Sequence, residues 1–149
     1  MKPEVKELFV DAQIKFVSDD YKGSIELFQK VLELDPKCAK AYQAIAIANI
    51  KMEKVDLAIE NIDRAIECEP ENARLHYHKG AILFQAKKHD EAIESLSHAI
   101  TIDPTYAPAY TLRASVFEAL GEEEASGADF NHALNLRREE IKNSKIVDL

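Results

Sequence analysis

The chain has 149 residues, 46% of them hydrophobic, and a formal net charge of −8. That is one domain's worth of chain with enough apolar residues for a packed core, which excludes a disordered segment. The negative charge opposes binding to polyphosphates, so no nucleic-acid partner is expected.

The first element predicted is a helix opened by Pro3 and Glu4. Proline is well placed in a first helical turn, where its missing N–H has no partner to lose. The segment at the start has no apolar core and no small-residue cleavage site, and no apolar run approaches the length of a membrane span. The expectation is therefore a cytoplasmic protein with no membrane insertion. "SDD" at 18–20 turns the chain into a second helix, which stops at Asp35-Pro36. Proline cannot continue a helix, and it pushes the residue before it out of α geometry.

The same stop recurs at Glu69-Pro70 and Asp103-Pro104, so the three prolines lie 34 residues apart with no insertion. A constant interval of this length marks a repeat. The repeats run 5–38, 39–72, 73–106 and 107–140, followed by a tail at 141–149, and together they are expected to form a single domain. Each is predicted to hold two antiparallel helices, A and B. In the third, helix A covers about Ala73 to Ala86 and helix B about Asp90 to Ile102. The A-to-B turns fall at "SDD", "MEK", "AKK" and "LGE", of which only the last has a glycine, Gly121. A left-handed C-cap is expected at Gly121; Asp19 suits that conformation, and Glu53 and Lys87 would cost roughly 1 kcal/mol each if they adopted it.

Aligned on themselves, the repeats agree by column. Column eight holds Ala12, Ala46, Gly80 and Ala114, and column twenty holds Ser24, Ala58, Ala92 and Ser126; all are small. Column four holds Leu8, Tyr42, His76 and Tyr110, and column twenty-four holds Phe28, Ile62, Leu96 and Phe130. Small residues let the two helices approach, and bulky ones fill the space beside the contact. The fourth repeat has Arg138 where proline is due, so its helix B is expected to run past Glu140, with Leu134 to about Asn143 as a charged end-cap.

These columns resemble the tetratricopeptide repeat, a 34-residue pattern of the form W-x2-L-G-x2-Y…A-x3-F…P. Repeat two keeps Tyr42, Ala46, Ala58, Ala65 and Pro70, and repeat three keeps Gly80, Ala92, Ala99 and Pro104. The resemblance covers residues 5–140 and implies an all-α fold: a right-handed α-solenoid of four helix-turn-helix repeats with a C-terminal cap. It also implies a scaffold or adaptor that binds a peptide or partner protein on the A-helix face and has no enzymatic activity.

On that face the first repeat presents Lys6, Phe9, Gln13 and Phe16, the second Lys40, Gln43, Ile47 and Ile50, and the third Arg74, Tyr77 and Phe84. They read as an apolar floor with a basic rim, suited to a peptide with aliphatic anchors and acidic flanks. Chaperone-binding members of the family resemble one another in a Lys, Asn, Asn, Lys and Arg clamp for a C-terminal carboxylate. The matching positions here are Phe9, Gln13, Ala44, Arg74 and His78, which argues against such a clamp. The alternative is a homo-oligomer in which the tail "KIVDL" lies in a neighbour's groove.

No metal or other cofactor is expected. His76 and His78 are two apart on a helix and point away from each other, while His98 and His132 share a column in successive repeats. Cys38 and Cys68 lack metal-type spacing and read as reduced, unpaired thiols. No phosphate-cradling glycine loop is present, and no nucleophile–base set is indicated.

Overall fold

The computed structural model describes residues 1–147. They form eight helices: α1 (Pro3–Val17), α2 (Tyr21–Leu34), α3 (Ala39–Lys51), α4 (Val55–Cys68), α5 (Ala73–Gln85), α6 (His89–Ile102), α7 (Ala107–Ala119) and α8 (Glu123–Val147). Among the described residues there is no strand. The helices fall into two compact bodies, Met1–Glu71 and Asn72–Leu149. The division lies one residue from the boundary between repeats two and three, so each body holds two helical hairpins.

The ends of the B helices and the start of α2 have local causes. Asp35, Glu69 and Asp103 precede the three prolines, and each has φ between −137° and −132° with ψ between 74° and 92°. That is the extended geometry a following proline imposes, and each helix B ends there. The Asp103 carboxylate then accepts hydrogen bonds from the Thr105 backbone N–H (3.0 Å) and hydroxyl (2.7 Å), which closes the turn into α7. Asp20 caps α2 by accepting from the Gly23 N–H at 3.0 Å. This bond, more than the nearby Lys15 ammonium, holds the Asp20 carboxyl below the usual carboxylate range.

The four A-to-B turns are built alike. Asp19, Glu53, Lys87 and Gly121 have φ of 62°, 60°, 62° and 76°. At the second turn the Glu53 N–H donates to the Ile50 carbonyl and the Lys54 N–H to the Asn49 carbonyl, at 3.0 and 2.8 Å. The same pair of bonds recurs at the other three, so all four helices A end in a Schellman cap. The turn residues are thus those expected from the sequence. Glu53→Gly and Lys87→Gly each relieve a left-handed side chain, and each raises stability by about 0.5–1 kcal/mol. Urea denaturation would show this as a higher midpoint; an unchanged or lower midpoint in both variants would show that the cap carries no strain.

Columns eight and twenty form the seam of each hairpin. Ala12, Ala46, Ala114, Ala58 and Ala92 are fully buried. In the first repeat the buried Ser24 hydroxyl donates to the Ala12 carbonyl at 2.9 Å, and in the fourth Ser126 donates to the Ala114 carbonyl at the same distance. A buried hydroxyl must find a partner, and the close approach of the helices supplies one. Gly80 marks the tightest point: a Cβ there would sit 2.6 Å from the Leu96 side chain. Val5, Phe28, Val31, Cys38, Ala41 and Ile45 form the N-terminal body's core.

One feature departs from the column reading. Phe28, Ile62 and Leu96 are fully buried, but Phe130 is 39% exposed, because no described helix follows α8 to cover it. As expected from Arg138 standing where proline is due, the fourth repeat's helix B runs on past Glu140 as one 25-residue helix, and the end-cap is its continuation. Charges do face outward there, as expected, but Leu134 and Ile141 are exposed with them.

Candidate peptide-binding face

In the N-terminal body, α1 and α3 lie side by side on the same flank of α2. Phe9, Gln13, Phe16 and Val17 of α1, Phe28 of α2, and Ala44 and Ile47 of α3 enclose a pocket of about 250 Å³. Helical spacing places Phe9, Gln13 and Phe16 on one face of α1, three and four residues apart. The Phe9 ring meets the edge of the buried Phe28 ring at a centroid distance of 5.2 Å and an angle of 75°, which fixes the pocket's floor. Phe16 is held from the other side by Tyr21, at 5.3 Å. Gln13 is the only polar side chain in the lining.

Of the residues expected on this face, Phe9, Gln13, Phe16 and Ile47 therefore converge. Lys6 and Lys40 lie one turn before Phe9 and Ala44 on the same helices, and both are exposed. Gln43 and Ile50 are half-buried and do not line the pocket. Phe28, Ala44 and Val17 complete it without having been expected. Phe28 reads from its column as pure core, and nothing in a single column shows that one edge of its ring reaches a surface pocket.

The C-terminal body treats its candidates differently. Tyr77 of α5 stands edge-on to Tyr106 at 5.6 Å and to His78 at 5.3 Å, and Phe84 contacts His89 at 5.5 Å. Arg74 is exposed at the start of α5 and donates to the Tyr106 hydroxyl; burial is still the larger influence there and raises the phenol above its usual range. Burial, and then the Arg74 charge, push the His78 imidazole below its ordinary value, which favours the neutral ring. These rings pair with one another.

A larger cleft of about 490 Å³ opens on the opposite side of the N-terminal body, between α2 and α4. Its rim mixes Lys22, Lys54 and Arg64 with Glu26 and Glu60, so it offers no single sign of charge to a ligand. Among the described residues no group of three or more His, Cys, Asp or Glu side chains is arranged to hold a metal ion. His98 stacks on His76 of its own repeat, with ring centroids 4.2 Å apart, and His132 stacks on Tyr110 at 4.3 Å. Column twenty-six therefore covers column four within each of these hairpins. Both cysteines are free, with Cys38 buried. No described helix is long and apolar enough to cross a membrane.

Family models of the tetratricopeptide repeat match residues 44–107 and 107–140, together almost two-thirds of the chain. The chain belongs to the tetratricopeptide-repeat family, and its fold is that family's all-α solenoid of paired helices. The crystal structure of MamA is 26% identical, with a TM-score of 0.84 over 93% of this chain and 81% of that one. A MamA fragment from Desulfovibrio magneticus RS-1 is 19% identical, with a TM-score of 0.80 over 91% of this chain and 76% of that one. The first tetratricopeptide domain of Spaghetti (RPAP3), bound to the HSP90 peptide SRMEEVD, is 19% identical, with a TM-score of 0.72 over 78% of this chain and 93% of that one. No curated protein sequence matches. The family's coarse function, interaction with other proteins, applies to this chain.

Proposed function

We propose that the chain is a scaffold that holds a short peptide against the A-helix face of its N-terminal body. One bulky apolar side chain of the peptide enters the Phe9–Phe16–Ile47 pocket, and acidic residues beside it meet Lys6 and Lys40. The observation that carries this reading is the pocket. Its volume of about 250 Å³ is open to solvent and almost wholly apolar in its lining. That is below the ~300–1,000 Å³ usual for small-molecule sites, and it suits one or two side chains. The two exposed lysines place positive charge beside the pocket on a chain whose net charge is −8. A neighbour of the same fold holds SRMEEVD, a peptide with both aliphatic and acidic residues. Here Phe9, Gln13 and Ala44 stand where a carboxylate clamp would need Lys, Asn and Asn, so recognition rests on the apolar anchor and not on a chain terminus.

The alternative of a tail seated in a neighbour's groove involves Asp148 and Leu149, which lie outside the described residues. The test for the pocket is peptide selection. Displayed libraries panned on the protein enrich a Leu, Ile, Met or Phe anchor flanked by Asp or Glu. Ile47→Asp and Lys40→Glu then weaken the selected peptide, the first by about tenfold or more, since anchor pockets hold most of an interface's energy. Fluorescence polarisation reads the affinities, with far-UV circular dichroism confirming the fold. Equal affinity for wild type and Ile47→Asp would end the assignment.

A further inference from the structure

The cleft between α2 and α4 carries its charges in order. Both helices pack on α3 and run antiparallel to it, so they are parallel to each other and their columns lie level. Ile25, Leu32, Ile45 and Leu57 give the cleft of about 490 Å³ its apolar lining. The charged lining falls in three bands. Lys22 and Lys54 stand at one end, Glu26 and Glu60, which share column twenty-two, in the middle, and Arg64 beyond them; all five are exposed. On α2 Lys22 precedes Glu26 by four residues, and on α4 Glu60 precedes Arg64 by four, so the sign changes about every 6 Å. The α3 helix adds no charge to the lining, and Lys30, Glu33, Glu53, Asp56, Asp63 and Glu67 lie outside it.

The C-terminal body bridges the equivalent space from within. There Arg113, in column seven of α7, reaches Asp129 of α8 and Ser97 of α6. In the N-terminal body those three columns hold Ile45, Asn61 and Gln29, and an isoleucine makes no such bridge. Asn61 donates to the Leu57 carbonyl of its own helix at 2.8 Å, which leaves its carboxamide oxygen to the cleft. We propose that this cleft takes an amphipathic helix of a partner protein, with an arginine in its middle turn and an acidic residue one turn away on each side. The arginine meets Glu26 and Glu60, and takes the part that Arg113 plays in the other body. The acidic residues meet Lys22 and Lys54 at one end and Arg64 at the other. Aliphatic side chains between them cover Ile25, Leu32 and Leu57. A helix laid along the groove repeats its face every three to four residues, the interval at which both lips change sign. The proposal does not use the Phe9–Phe16–Ile47 pocket and stands apart from it.

The test pans displayed peptides on the full chain carrying Ile47→Asp, which disables the other pocket and leaves the cleft intact. The enriched peptides carry Glu or Asp, then Arg, then Glu or Asp, at four-residue intervals, and one of them made synthetically binds wild type. Glu26→Lys with Glu60→Lys, both at exposed positions and checked for fold by circular dichroism, weakens that peptide at least about tenfold in fluorescence polarisation. Changing the peptide's arginine to glutamate restores affinity for this charge-reversed variant and removes it for wild type. Enrichment of no peptide, of peptides without that charge order, or of the same charges at the two-residue interval of a strand would overturn the proposal. So would a selected peptide that binds wild type and the charge-reversed variant equally.

Discussion

Replacing Phe28 with alanine costs the N-terminal body about 3–5 kcal/mol, the range for deleting a fully buried aromatic ring. Phe28 is 1% exposed and sits at the junction of three helices. Its ring closes the α1–α2 seam beside Ala12, supports Phe9 edge-on, and faces α3 across Ala41 and Ile45. The helices around it are tied by turns and by the Ser24–Ala12 bond, so they cannot collapse fully into the vacated space. The residual cavity adds to the loss of buried area. Because Phe28 lines the Phe9–Phe16–Ile47 pocket, the variant also loses that pocket's rigid floor. Phe28→Leu restores much of the volume and recovers most of the stability. Urea denaturation followed at 222 nm measures both; a loss under about 1 kcal/mol in Phe28→Ala would mean the ring does not organise the three helices.

Such an effect is legible in the sequence only in part. Column twenty-four marks Phe28 as core because Ile62, Leu96 and Phe130 share its register. The same logic locates the turns at Asp19, Glu53, Lys87 and Gly121, and the helix stops before each proline, since these are properties of one repeat alone. What periodicity cannot supply is anything that differs between repeats. Phe130 occupies a core column yet is exposed, because burial there needs a following helix. The pocket residues were found where helical spacing on one helix decides the matter, as with Phe9, Gln13 and Phe16. Phe28 and Ala44 were missed because their part depends on how three helices converge. Tyr77 and Phe84 look like floor residues by spacing, but the rings opposite them, Tyr106 and His89, come from other columns.

The Arg113–Asp129 pair was wholly hidden for the same reason, and removing its carboxylate gives the second large effect. Arg113 of α7 and Asp129 of α8 meet in a two-pronged contact, with Nε to Oδ2 at 2.7 Å and Nη2 to Oδ1 at 2.8 Å. Nη1 also donates to the Ser97 hydroxyl of α6 at 3.1 Å, and the guanidinium lies 5.7 Å from the Tyr110 ring centre. One side chain thus ties three helices of the C-terminal body. The bonds to Asp129 raise the guanidinium's already high pKa, against the opposing effect of burial. Columns seven and twenty-three hold Asp11, Ile45 and Lys79, and Leu27, Asn61 and Ser95, in the other repeats, so no repeat pattern announces the pair. Asp129→Ala leaves the guanidinium beside an apolar gap. The side chains of Arg113 and Asp129 are 21% and 9% exposed, so water partly compensates. The expected loss is about 2–4 kcal/mol, somewhat less than for a fully buried pair. Arg113→Met with Asp129→Leu removes both charges and fills the space, so the double variant is more stable than Asp129→Ala. Salt separates this pair from a surface one: the loss in Asp129→Ala changes little between low and high ionic strength, because the contact is shielded from solvent ions. A loss below about 1 kcal/mol, or one that vanishes in salt, would make the contact an ordinary surface ion pair.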